Sequence, residues 1–111
     1  MRSIVIDELS SPDVDRLSGH LDQTLTPSGL SGVYWLELPE NLLRPLQQEH
    51  RQSCGPHRVA VVVEEGCLRL ELLVRPQESL RCECAAYASS AQRDFLLDYL
   101  DRLIKELGLR T

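Results

Sequence analysis

The chain has 111 residues, 42% of them hydrophobic and 26% charged, and a formal net charge of −5. That balance argues for one folded domain spanning 1–111 and against disorder. The acidic excess speaks against a nucleic-acid partner, because no basic stripe is present to displace counterions from phosphates, and against docking on an anionic membrane.

Isoleucines and a valine at 4–6 form a short apolar run that reads as a first strand. Ser11, Pro12 and Asp13 then carry a helix-start pattern: a capping hydroxyl, a proline pre-set for the first turn and a carboxylate at the positive end of the dipole. Val14, Leu17, Leu21 and Leu25 follow at spacings of three and four, so they form one apolar stripe. Gly19 inside that helix costs about 1 kcal/mol relative to alanine. Residues 26–32 hold a proline, two serines and two glycines and are expected to loop. Residues 33–38 form a second strand, with Tyr34, Leu36 and Leu38 on one face and Val33, Trp35 and Glu37 on the other. Between 39 and 52, Pro45 interrupts the pattern, which predicts a short turn and then a helix beginning near that proline.

The stretch 57–86 organises the chain as three consecutive strands. Residues 59–63 are apolar at every position, as in a strand at the centre of a sheet. Leucines alternate with Arg69 and Glu71 through 68–72. The alternation returns in 80–84, where Leu80, Cys82 and Cys84 share the apolar phase and Arg81 and Glu83 the charged one. On that pattern Cys82 and Cys84 serve as small core hydrophobes, and Arg69 and Glu71 face Arg81 and Glu83 across the strands. The last helix follows, with Ser89 and Gln92 at capping-box spacing. Leu96, Tyr99, Leu100, Leu103, Ile104 and Leu107 line one side. Asp98 with Arg102 and Asp101 with Lys105 stand four apart, and Gly108 ends the helix. The expected fold is α+β: a two-layer domain with a mainly antiparallel sheet, element order β-α-β-α-β-β-β-α, and helices packed on one face.

Acidic residues follow too soon after Met1 for a signal peptide, and no apolar run approaches membrane-spanning length. A cytoplasmic protein is expected, its four cysteines held as thiols or metal ligands.

The sequence lacks a glycine-rich phosphate loop, a GxSxG elbow and an HExxH pair. The reading leans away from an enzyme and from any cofactor. It favours a protein-interaction or regulatory domain that meets a protein partner or self-associates as a homodimer. Trp35, Arg69 and Glu71 on the face away from the core are the candidate contact residues.

The alternative centres on His50, Cys54 and His57. His50 and Cys54 are one helical turn apart, and His57 follows a Gly-Pro bend. Imidazole and thiolate are zinc's preferred donors, but a structural site needs four. The fourth is sought in Cys67, His20 or a carboxylate. The same cluster also carries a thiol-nucleophile reading, with Cys54 activated by His50 or His57.

Overall fold

A computed structural model describes residues 1–79 and 81–111. The fold is α+β, with an antiparallel sheet and the two long helices on one face.

The strands are β1 (Ser3–Ile6), β2 (Thr26–Pro27), β3 (Val33–Glu37), β4 (His57–Glu64), β5 (Cys67–Glu71), β6 (Leu73–Pro76) and β7 (Ala86–Tyr87). β4 is central. β3 pairs along one edge from Val33 against Val62 to Glu37 against Arg58, and two-residue β2 extends beyond it. Along its other edge, β4 meets β5 at Val61–Glu64 and β6 at His57–Arg58. β5 and β6 are one line of chain interrupted at Leu72. The Leu72 amide donates to the Arg2 carbonyl, and its carbonyl accepts from the Ala88 amide. Two short edge strands therefore flank this line: β1 beside β5 and β7 beside β6.

α1 (Ser11–Thr24) is capped by Ser10, one residue before the expected cap, with Pro12 in its first turn. α4 (Ser90–Leu107) begins with the expected Ser89–Gln92 capping box and ends at Gly108, whose φ of 60° is the left-handed conformation glycine tolerates. Leu109 folds back, its amide on the Ile104 carbonyl and its side chain buried. Arg102 donates to the main-chain carbonyl of Asp98.

The predicted stripes meet in one core. Leu17 and Leu21 of α1 and Leu96, Leu100 and Leu103 of α4 pack on Tyr34, Leu36, Val59, Val61, Leu68 and Leu70. Each fully buried aliphatic side chain contributes about 1.5–3 kcal/mol.

Between β3 and β4 the chain forms a 3-10 turn at Glu40–Leu42, then α2 (Pro45–Glu49) and α3 (Arg51–Cys54). The break near Pro45 and the helix after it follow the sequence pattern.

The largest departure is the last strand of the expected meander. Residues 81–85 are turns, with strand resuming only at Ala86; Leu80, expected at its start, lies outside the described residues. Arg69 pairs with Glu64 and Glu71, and Arg75 pairs with Glu71. The expected cross-strand pairing with Arg81 and Glu83 is thus replaced, because no strand carries those two residues alongside β5. Among the described residues no helix is long and apolar enough to cross a membrane.

A candidate metal centre

α2 and α3 meet at His50, where φ −92° and ψ 4° kink the axis without unwinding the chain. The Cys54 amide still bonds the His50 carbonyl at 2.7 Å, so both side chains fall on the same side. Gly55 ends the turn. A Cβ there would sit 2.2 Å from the Arg51 carbonyl oxygen, so glycine is what permits the close approach that leads into β4. His57 is the first residue of β4 and points inward, paired with Pro76.

The turns at 81–85 face this corner. Main-chain bonds from Cys82 to Ser79 and from Ala85 to Cys82 wind the segment. The approach to it is tied down by bonds from the Glu78 amide to the Cys54 carbonyl and from the Gln77 amide to the Pro56 carbonyl. A buried glutamine relay fixes the other side. Gln47, fully buried, donates from Nε2 to the Cys84 carbonyl at 3.1 Å. Its Oε1 accepts from the Arg44 amide and from Gln92 Nε2, and Gln92 also donates to the Leu42 carbonyl. The cap of α4, the start of α2 and the cysteine turn thus share one hydrogen-bond network.

The result is a cluster of four donor atoms, on His50, Cys54, Cys82 and Cys84, all within 4.8 Å of one another. His50 Nδ1 lies 3.0 Å from Cys82 Sγ and 3.8 Å from Cys54 Sγ, and the two sulfurs are 3.6 Å apart. A regular tetrahedron with zinc–sulfur bonds of about 2.3 Å and a zinc–nitrogen bond of about 2.05 Å has edges of about 3.8 and 3.5 Å. Two of the three distances agree with those edges within a few tenths of an ångström, and the 3.0 Å edge is shorter.

His57 stands behind the cluster. Its Nε2 is 3.4 Å from Cys84 Sγ, and the residue is 1% exposed. With the proton on Nε2, the ring donates to that sulfur. Nδ1 has no partner among the described residues. Burial, with help from the neighbouring His50, holds the His57 pKa below its ordinary value and keeps the ring neutral.

The thiols differ sharply. The Cys84 main-chain amide bonds Cys82 Sγ, and with the Cys84, Cys54 and His50 side chains it brings Cys82 down to about 7. Burial pushes Cys84 up to about 12, with the neighbouring Cys82 adding to the effect.

Of the expected ligands, His50 and Cys54 are in the cluster and His57 abuts it. The fourth-donor candidates lie elsewhere: Cys67 opens β5, opposite Glu64, and His20 is beside Glu106 on the helical layer. The donors that join His50 and Cys54 are Cys82 and Cys84, expected as core hydrophobes. Cys84 is buried, 1% exposed, but against His57 and the other thiols; Cys82 is partly exposed. The available signal was the C-x-C spacing together with a local set short of donors.

Trp35, Arg69 and Glu71 all lie on the opposite sheet face, which α1 and α4 do not cover. Trp35 is half-buried beneath the guanidinium of Arg58, 4.2 Å from the ring centroid.

No protein-family model matches the chain, and neither a curated protein nor a solved structure shows significant similarity to it.

Proposed function

We propose that the chain is a non-enzymatic, metal-stabilised domain in which His50, Cys54, Cys82 and Cys84 hold a zinc ion. One observation carries this reading: donors from two separated segments converge within 4.8 Å. Three sulfurs and one imidazole form a complete structural set with no open position, which suits a scaffold role better than catalysis at the metal. His57 orients the Cys84 sulfur from outside the set, as outer-shell donors commonly do. The ion would fasten the 81–85 turns to the end of α3, in a segment with little regular secondary structure of its own.

Cobalt substitution tests the reading. Metal-free protein titrated with Co²⁺ is expected to develop the intense visible bands of a tetrahedral thiolate site, saturating at one ion per chain and bleaching when zinc is added. Weak octahedral absorption, or no saturation, contradicts it.

A second reading, a protein partner or homodimer formed through the face of Trp35, Arg69 and Glu71, is favoured by one observation: α1 and α4 both pack on the other side of the sheet. Light scattering across a concentration series tests it, with a doubled mass expected.

A further inference from the structure

The open sheet face is concave at its centre. A groove of about 450 Å³ lies there, within the range of roughly 300–1,000 Å³ typical of small-molecule sites. Three rows of side chains build it. β3 supplies Val33 and Trp35; β4 supplies Arg58, Ala60 and Val62; β5 and β6 supply the opposite wall. Ala60 is the reason for the depression. It is paired with Trp35, and its single methyl leaves the middle of the floor low between longer neighbours.

The charge of the groove runs against that of the chain. Arg58, Arg69 and Arg75 line it with one carboxylate, Glu71, on a molecule of net charge −5. Arg69 is engaged by Glu64 and Glu71, and Arg75 by Glu71. Arg58 makes no ion pair among the described residues, although the Glu37 and Glu78 carboxylates lie near enough to favour its charged form. Its guanidinium carbon instead lies over the Trp35 ring, 4.2 Å from the centroid, and its Nε is buried with no partner among the described residues. A guanidinium fixed by stacking and partly stripped of water is pre-organised for a carboxylate, because little side-chain freedom remains to be lost on binding.

We propose that this groove binds a small organic acid, its apolar body on Ala60 and Val62 beside Trp35 and its carboxylate on the Arg58 guanidinium. This occupant and the protein-partner or second-copy reading of the same face exclude each other, and the small, concave surface, with Arg69 and Glu71 already satisfying each other, favours the acid. The proposal does not depend on the metal reading, since none of the four proposed ligands lines the groove.

Trp35 is the only tryptophan in the chain, so its emission reports on the groove directly. The test is titration of the full chain with 1-naphthoate and with dodecanoate, followed by fluorescence and calorimetry, alongside neutral 1-naphthamide and dodecanol. At least one acid is expected to saturate, with the neutral counterpart about tenfold weaker or more, the worth of a charge-assisted hydrogen bond. Arg58→Gln is expected to weaken the acid by a similar factor and leave the neutral compound unchanged. Ala60→Leu, which fills the floor, is expected to abolish binding of both, and the urea midpoint of each variant shows that it folds. Saturation by naphthoate alone assigns a flat ligand, and by dodecanoate alone a chain-like one. Failure of both acids to saturate, equal affinity for acid and neutral compound, or an unchanged affinity in Arg58→Gln overturns the proposal. So does a doubled mass in light scattering accompanied by concentration-dependent Trp35 emission, which would assign the face to a second copy of the chain.

Discussion

Replacing Gln47 with leucine removes the centre of the network that joins three parts of the fold. The side chain is 0% exposed, so solvent cannot substitute for what it loses. Gln47→Leu leaves unpaired the Cys84 carbonyl, one N–H of the Gln92 side-chain amide, whose other bond to the Leu42 carbonyl survives, and the part-buried Arg44 amide. Each buried group left unpaired costs about 1–1.5 kcal/mol at the lower end of the usual range, so the three together cost about 4 kcal/mol. The leucine regains about 1.5 kcal/mol of apolar burial. The net loss is about 2.5 kcal/mol, a large share of the stability of an ordinary domain. With an unfolding entropy of about 2.1 cal/mol/K per residue, that loss lowers Tm by about 11 °C. Urea and thermal unfolding followed by circular dichroism measure it, in zinc and again in chelator. The Cys84 carbonyl anchors the cysteine turn, so the variant is also expected to release zinc more readily than the parent. A loss below about 1 kcal/mol would refute the view that this relay holds the corner together.

Three further predictions separate site from scaffold. Cys67→Ser is expected to leave zinc affinity unchanged, His57→Ala to weaken it by about 10–100-fold as an outer-shell loss, and Cys82→Ser to weaken it by at least about a hundredfold as the loss of a ligand; competition with a chromophoric chelator ranks them. Gly55→Ala is expected to destabilise by at least about 2 kcal/mol, since the added methyl overlaps the Arg51 carbonyl, whereas Gly19→Ala, with none of the described residues within 4 Å of the new carbon, is expected to stabilise by about 0.5–1 kcal/mol in urea. Asp13 is held below its ordinary 3.8 by the Arg110 main-chain amide and by Arg16. A depressed folded pKa gives stabilisation that is present above about pH 4 and fades as pH falls through the folded value. The stability gap between the parent and Asp13→Asn should therefore be widest near neutrality and close in acid.

Most of the fold could be read from periodicity, because burial on one face leaves a period in the chain. The stripes of α1 and α4, the alternation of β5 and the unbroken apolar run of β4 all pack as their patterns indicate. Local chemistry placed the Ser89–Gln92 capping box, the Pro45 helix start and the Gly108 stop. Strand partners were not legible, since pairing of β1 with β5 joins residues nearly seventy positions apart and no local signal encodes it.

The 80–84 stretch misled for a specific reason. Alternation cannot tell whether a residue in the apolar phase is there to be buried or to coordinate. Cys-x-Cys puts both sulfurs on one side of an extended strand, and it also lets both reach one centre from a turn. No glycine or proline in 81–85 marks the turn. What holds it there is tertiary: the Gln47 bond to the Cys84 carbonyl and the Glu78 bond to the Cys54 carbonyl. His50 and Cys54 were legible because one helical turn joins them.

As a metal-stabilised domain, the chain would join His50, Cys54, Cys82 and Cys84 through one zinc ion. Elemental analysis of untagged protein, purified without chelator and paired with a count of reactive thiols, tests it most directly. About one zinc per chain is expected, with Cys67 free to react and the other three cysteines protected until chelator is added. Metal well below stoichiometric, with Cys54 and Cys82 reacting as readily as Cys67, would contradict it.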